Sequence, residues 1–164
     1  MSLKATPIPP VPEETARAAR GSFPKGAPWI ALRDELGALY EDTDFAALFP
    51  SEGQPAEVPW RLALVTCFQF AEGLSDCQAA DSVRSRIDWK YALSLPFDDP
   101  GFDDSVLSEF RTRLVEGHAE PLLFDKLLNL CRERKWLKTR GRQRTDSTHV
   151  LASIRSLNHL ESVG

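Results

Sequence analysis

The stretch "VPWRLALVTCFQFAEGLSDCQAADSVRSRIDWKYALSL" (residues 58–95) determines the fold that the sequence predicts. After Pro59, a residue favoured in the first turn of a helix, the chain is apolar almost all round, as in a helix at the centre of a protein. Gly73 can take the left-handed conformation that ends helices, and Ser75 with Gln78 matches the capping box that begins them. The sequence therefore predicts two helices joined by a tight turn.

Helices joined by so short a turn must cross at a steep angle, as in a helix-turn-helix. Ala79, Ala80 and Val83 are small enough to let the second helix pack closely on the first. If this pair reads DNA, its candidate phosphate contacts are Arg84, Arg86 and Lys90. A purely structural helix pair is the alternative, because Asp76 and Asp81 would face the same anionic groove.

Helical periodicity continues on both sides of this pair. Upstream, apolar residues from Trp29 to Tyr40 recur at helical spacing and predict one helix. Downstream, a helix is predicted after an Asp104/Ser105 cap, and a last helix is predicted over residues 119–137. The fold class is mainly α, with a helical domain over residues 27–138. Residues 1–26 begin with a proline-rich stretch and have no apolar core of a signal peptide, so they are predicted to form an extended or disordered arm.

The pattern changes after residue 138. The segment "QRTDSTHV" (residues 143–150) is rich in β-favouring residues and has no predicted partner strand upstream. Leu151, Ile154, Leu157 and Leu160 then recur like the first turns of an amphipathic helix. One strand and a short helix do not make a domain. Residues 139–164 are therefore interpreted as a basic linker and the start of a truncated domain.

Composition restricts the class of protein further. No apolar run approaches the roughly 20 residues that a bilayer requires, so a membrane span is excluded and a cytoplasmic location is expected. Cys67, Cys77 and Cys131 contain no metal-binding pair and are odd in number, which favours buried, reduced thiols. Trp60 and Trp89 lie among apolar neighbours and are expected in the core.

Positive charge is concentrated in residues 131–145. This segment carries seven basic residues against Glu133 alone, a net charge of +6, while the remaining residues sum to −10. Such a run can neutralise DNA phosphates, and its alternative is a solvated helix end whose cations suit the helix dipole. The basic residues are Arg132, Arg134, Lys135, Lys138, Arg140, Arg142 and Arg144.

Three stretches together resemble the N-terminal region of bacterial insertion-sequence transposases of the DDE type, whose InsH-like helical domain precedes the catalytic domain. They are "GLSDCQAADSVRSRIDWKYALSL", "DPGFDDSVLSEFRTRLVE" and "RQRTDSTHVLASIRSLNHLE". The resemblance implies that "RTDSTHV" is the first strand of an RNase H-like fold and that Asp146 is the first of three metal-binding carboxylates. It also implies Mg²⁺ or Mn²⁺ as the cofactor of the full-length enzyme and double-stranded DNA, at the terminal repeats of the element, as the partner.

The chain departs from this family pattern after Asp146, because Glu161 is the one acidic residue that follows. The sequence therefore predicts that these 164 residues alone neither cut DNA nor bind the metal. A nucleoid-associated protein that self-associates or joins a full-length transposase is expected. A non-catalytic helical module that regulates such a transposase is an alternative, and a helix-turn-helix transcription factor is another.

Overall fold

The computed structural model describes residues 2–37 and 39–133, so every prediction placed on residues 134–164 lies outside it. The predicted mainly α class is confirmed, since the described residues form helices and no strand beyond an isolated bridge between Ser2 and Pro55. A 3₁₀ helix (Asp42–Leu48) follows the second α-helix. The α-helices are α1 (Glu13–Ser22), α2 (Pro28–Leu36), α3 (Pro59–Glu72), α4 (Asp76–Ser85), α5 (Ile87–Ala92), α6 (Ser105–Glu116) and α7 (Glu120–Glu133).

Helix α3 lies at the centre of the fold, as its apolar sequence predicts. Residues 62–69 are buried without interruption, which includes the polar side chains of Thr66 and Gln69. Phe68 packs between two tryptophans, with ring centroids 4.1 Å from Trp29 of α2 and 5.2 Å from Trp89 of α5. Aromatic burial thus joins three helices that are distant in sequence.

The turn between α3 and α4 has the predicted geometry. Gly73 has a φ of 69° and a ψ of 38°, which is the left-handed helix-ending conformation. Both hydrogen bonds of the capping box are present: the backbone N–H of Gln78 donates to Ser75 Oγ at 3.2 Å, and that of Ser75 donates to Gln78 Oε1 at 2.9 Å. Ala79 and Val83 are fully buried, so α4 packs against the core.

The prediction of an extended or disordered arm is wrong for Glu13–Ser22, which form α1. The prolines that discourage a helix end at Pro12, the residue before α1, and a short alanine-containing helix follows. Tertiary contacts outweigh its weak sequence signal: Ala19 is fully buried, and Thr15 Oγ1 donates to the Leu95 carbonyl at 2.8 Å. Before Pro12 the chain has no helix, and Ser2 pairs with the loop around Pro55.

Two local predictions also need correction. The side chain of Asp104 does not cap α6; Asp103 Oδ1 instead accepts from the backbone N–H of Ser105 at 3.0 Å.

The expectation of buried cysteines holds for Cys67, whose pKa is raised to about 11 by burial. Cys77 is exposed, because it lies on the outer face of α4. Cys131 has no described side chain.

A charged cluster ties the start of α4 to α6. Arg111 donates to both carboxylate oxygens of Asp76, at 2.8 Å and 2.5 Å, and Gln69 Nε2 donates to the same carboxylate at 2.6 Å. The hydrogen bonds from Arg111 hold the pKa of Asp76 below its usual range. Because the pKa is lower in the folded than in the unfolded protein, the ionised Asp76 carboxylate stabilises the fold at any pH above the unfolded-state value. This stabilisation is lost as the pH falls through the folded-state pKa.

Gly73→Ala is expected to lower the free energy of unfolding by about 1–2 kcal/mol, because a β-carbon disfavours the left-handed backbone. Gly73→Asn is the matched variant and should lose less, since asparagine adopts this conformation more readily. Urea denaturation followed by circular dichroism measures both. Equal losses for the two variants would contradict the importance of this backbone conformation.

Asp76→Asn is expected to lower the free energy of unfolding near neutral pH by about 1–3 kcal/mol, because Arg111 then keeps a partly buried charge without its carboxylate. The difference from the parent protein should begin to shrink as the pH falls below the unfolded-state pKa of about 4, and should vanish once the pH passes the lower folded-state pKa of Asp76. Asp81→Asn is the control, since its ion pair with Arg84 is exposed and contributes little. A loss that stays constant between neutral and acid pH would refute the ionic contribution of Asp76.

Candidate nucleic-acid interface

Lys90, one of the three predicted phosphate contacts on the α4–α5 segment, does not reach solvent. Its residue surface is 2% exposed, and its Nζ donates to the Asp99 carbonyl at 2.6 Å. Burial lowers the pKa of this ammonium group. The hydrogen bond secures the loop that follows α5, and this burial argues against Lys90 as a phosphate contact.

Arg86, the second predicted contact, lies at the junction of α4 and α5 between two carboxylates. It pairs with Glu72 of α3, and its Nη2 and Nε donate to the carboxylate of Asp88 at 2.7 Å and 3.1 Å. Its guanidinium carbon lies 5.1 Å from the centre of the Trp89 ring. Glu72 also accepts from Trp29 Nε1 at 2.6 Å, so Arg86 belongs to a network that fastens α2, α3 and α5 together.

Arg84 is the most exposed of the three, but its guanidinium group also makes internal bonds. Its Nε donates to the Pro100 carbonyl at 3.0 Å, and its Nη2 donates to the Phe102 carbonyl at 2.9 Å. Its Nη1 pairs with Asp81 at 2.9 Å. Arg84 therefore holds the loop before α6 and retains only part of its surface for a ligand.

The exposed face of α4 is polar and tends toward negative charge. Cys77, Gln78, Asp81 and Ser85 are exposed on this helix beside Arg84. Nearby Asp104 and Asp81 raise the pKa of the Cys77 thiol, which indicates a negative potential at this position. Such a face is a poor match for the DNA groove, although its helices have the order of a helix-turn-helix.

Charge is distributed unequally between the described fold and the segment after it. The described residues carry 13 basic and 22 acidic side chains, a formal net charge of −9. Arg132 is exposed in the last turn of α7, and it is the first basic residue of the predicted segment; the other six lie outside the described residues.

Helix α7 is attached to the rest of the helical domain by two contacts. The Tyr40 hydroxyl donates to the Leu123 carbonyl at 2.5 Å, and Lys126 forms an ion pair with Asp44.

The predicted metal ligand and the strand that carries it belong to the C-terminal segment of the chain. Asp146 lies outside the described residues, as do the basic linker and the predicted strand. Within residues 2–37 and 39–133, no group of three or more His, Cys, Asp or Glu side chains is arranged to hold a metal ion. The described helices include none that is both long and apolar enough to cross a membrane.

Two partly buried arginines, Arg33 of α2 and Arg61 of α3, were not predicted as site residues. Both guanidinium groups lie near the ring of Trp60, at 5.9 Å and 5.3 Å from its centre. The residues are far apart in sequence, so no spacing pattern predicts that they meet. A single sequence offers no signal for such a tertiary pair.

Residues 19–113 match the family profile described as Transposase domain (DUF772). The match begins in α1, ends in α6 and contains the whole α3–α4 pair, and it covers more than half of the 164 residues. Neither the curated proteins nor the solved structures include a match to the chain. The match confirms the resemblance to insertion-sequence transposases and supports a role in transposition, with interaction with DNA in general. The chain belongs to the transposase domain (DUF772) family.

Proposed function

We propose that the chain is the N-terminal part of a DDE transposase, in which an acidic helical domain positions a basic DNA-binding segment and the first catalytic carboxylate. The observation that carries this proposal is the separation of charge within a chain of the transposase domain family. The described residues sum to −9, and residues 131–145, which overlap them only at 131–133 with zero net charge, carry +6. Duplex DNA is attracted electrostatically to the second part and repelled by the first.

In this proposal the helical domain acts as a scaffold. The cations predicted to contact DNA from α4 and α5 are used for internal bonds, with Lys90 buried and Arg86 held between Glu72 and Asp88. Helix α7 leads from the body of the domain to the basic segment, and exposed Arg132 lies in its last turn. The proposed DNA-binding set is therefore Arg132, Arg134, Lys135, Lys138, Arg140, Arg142 and Arg144, with Arg84 as a secondary contact.

Asp146 is the proposed first metal ligand of an RNase H-like active site. Phosphodiester cleavage and joining proceed by in-line displacement, and two divalent ions roughly 4 Å apart can stabilise the attacking and leaving oxygens. A carboxylate fixed on a strand suits Mg²⁺ or Mn²⁺, which prefer hard oxygen ligands. Catalysis requires a second aspartate and a glutamate, and Glu161 is the one acidic residue after Asp146 in these 164 residues.

The acidic helical domain also favours a second function, a non-catalytic module that assembles with a full-length transposase or with itself. Its α4 face presents Gln78, Asp81 and Ser85 to solvent, and its cations are largely committed to internal bonds. Such a surface can bind a basic partner protein as readily as it repels DNA. The two functions differ in whether the basic segment alone gives the chain measurable affinity for DNA.

Replacement of Arg140, Arg142 and Arg144 by alanine is expected to flatten the salt dependence of DNA affinity. If the chain neutralises about four to six phosphates, log affinity falls with log salt concentration at a slope near −4 to −5, and loss of three contacts reduces this slope by about two to three units. Fluorescence anisotropy with a labelled duplex, repeated across a salt series, measures the slope.

The matched control replaces three exposed cations of the described fold, Lys4, Arg17 and Lys25, by alanine. It removes the same charge from the other part of the chain and should leave the slope almost unchanged. Equal flattening by both triple variants would show that total charge, rather than the basic segment, governs binding. An unchanged slope in the Arg140, Arg142 and Arg144 variant would refute the proposed DNA-binding set.

Asp146→Asn is expected to abolish strand transfer in a transposase that contains this chain together with the two further carboxylates, because a neutral amide cannot bridge two metal ions. In the 164-residue chain it should slightly strengthen DNA binding, since one negative charge is removed beside the basic segment. Glu161→Gln is the control with the same charge change. Strand transfer lost in the Glu161 variant but retained in the Asp146 variant would overturn this role.

A further inference from the structure

Two arginines from different helices converge on Ser94, and one of them, Arg33, also contacts the N-terminal arm, here residues 2–15. Arg33 donates from Nη2 to Ser94 Oγ at 2.8 Å, and Arg61 donates from Nη2 to the Ser94 carbonyl at 3.4 Å and from Nε to the Leu93 carbonyl at 2.9 Å. Both guanidinium groups also lie near the Trp60 ring. The two cations thus share one serine and one aromatic ring.

The charges of this pair are not neutralised by direct contact. Within residues 2–37 and 39–133, neither guanidinium group forms an ion pair, and Arg33 Nη1 is buried without a hydrogen-bond partner. Burial lowers the pKa of both Arg33 and Arg61, which reflects the cost of holding two cations in this place. A buried donor without a partner calls for an explanation, and a bound ion supplies one.

Several carboxylates attract the pair from farther away, with Glu57 the strongest for Arg61, and three of the others accept hydrogen bonds from other groups. Asp42 accepts from the backbone N–H of Trp60 at 3.4 Å, and Asp99 accepts from that of Gly101 at 2.8 Å. Asp34, which follows Arg33 in α2, accepts from the Tyr91 hydroxyl at 2.5 Å. Among the described residues, Arg33 Nη1 therefore remains a buried donor to which none of these carboxylates is hydrogen-bonded.

Ser94 is held in an unfavourable backbone conformation at the point where the arginines meet. Its φ is 53°, in the left-handed region that non-glycine residues adopt at a cost of about 1–3 kcal/mol, and it is buried. This conformation accompanies a hydroxyl that bonds Arg33 and a carbonyl that bonds Arg61. Strained residues with convergent polar groups are typical of ligand sites.

The N-terminal arm contacts Arg33 at Pro9, and near this point it is held by long hydrogen bonds and by the packing of Ile8 against the core. Its ends are anchored by shorter bonds, from the Ser2 backbone N–H at 2.6 Å and from Thr15 Oγ1 at 2.8 Å. Two bonds that hold its middle are longer: 3.4 Å from Arg33 Nη2 to the Pro9 carbonyl, and 3.3 Å from the Thr6 backbone N–H to Asp42. Lifting the middle of the arm would release Arg33 Nη2 from the Pro9 carbonyl and separate Ile8 from the core, without breaking a helix.

We propose that Arg33 and Arg61 form a binding site for a tetrahedral phosphate group, whose oxygens replace the Pro9 carbonyl when the arm lifts. Paired guanidinium groups match phosphate oxygens through two parallel N–H bonds, and lysine cannot reproduce this geometry. The phosphate can come from a DNA backbone or from free phosphate. The inference that DNA supplies the phosphate rests on the proposed function, whereas the binding of free phosphate does not.

The first experiment measures the binding of inorganic phosphate to the 164-residue protein by titration calorimetry and by thermal melting at constant ionic strength. Saturable binding and a melting temperature that rises with phosphate are expected. Arg33→Lys and Arg61→Lys should each weaken binding by about tenfold or more, because the charge remains while the paired donors are lost. If one variant does not fold, the other gives the same test.

Arg113→Lys is the matched control, because Arg113 also stacks on an aromatic ring, with its guanidinium carbon 5.2 Å from the centre of Phe49. Phosphate stabilises proteins non-specifically as well, so the informative quantity is the difference between the Arg33 and Arg113 variants. An equal response in all variants, or no saturable binding by the unsubstituted protein, would overturn the proposed site.

A second experiment distinguishes the two phosphate sources with a short labelled duplex. If DNA supplies the phosphate, Arg33→Lys weakens duplex binding relative to Arg113→Lys, and inorganic phosphate competes with the duplex. If free phosphate is the ligand, both variants bind the duplex equally while only Arg33→Lys loses phosphate binding. If the basic segment does not bind DNA, the proposed function fails, but the result with inorganic phosphate is unaffected. Failure of the proposed function and failure of the phosphate site are therefore distinguishable.

Discussion

The burial of α3 is the constraint on which the rest of the structure depends. A helix that is apolar on nearly every face must be covered on all sides, and α2, α4, α5, α6 and the 3₁₀ helix supply the cover. Phe68 is the central contact, since its ring lies between Trp29 and Trp89, and full burial of such a side chain contributes about 1.5–3 kcal/mol. The tight turn at Gly73 follows, because α4 must turn back at once to cover α3.

This arrangement determines what the cations of the domain can do. Arg86 pairs with Glu72 at the end of α3, and Arg111 pairs with Asp76 at the start of α4, so the C-terminal end of the central helix is fixed by charge as well as by packing. Of the three cations predicted to contact DNA from α4 and α5, Lys90 and Arg86 are therefore structural in the fold, and Arg84 is partly so. The helical domain is left with a negative net charge, and the proposed attraction to DNA rests on the basic residues 131–145.

Sequence reasoning succeeded where local chemistry determines the structure. Pro59, Gly73 and the Ser75–Gln78 capping box predicted the central helix pair because each acts through its own backbone or through neighbours within one turn. It failed for α1, whose stability depends on packing against α5 and on the contact from Thr15 to Leu95. It also missed that Lys90 is buried and that Arg33 meets Arg61, because both facts depend on tertiary contacts between residues far apart in sequence.

The central claim is that DNA binds to the basic segment after the helical domain, and not to the exposed face of α4. Amide chemical-shift mapping of the 164-residue chain during titration with duplex DNA tests this claim most directly. The account predicts that the largest shifts fall in residues 132–145, with little change at Gln78, Asp81 and Ser85. Dominant shifts on α4 with an unaffected basic segment would contradict it and would identify the helix pair as the DNA-reading element.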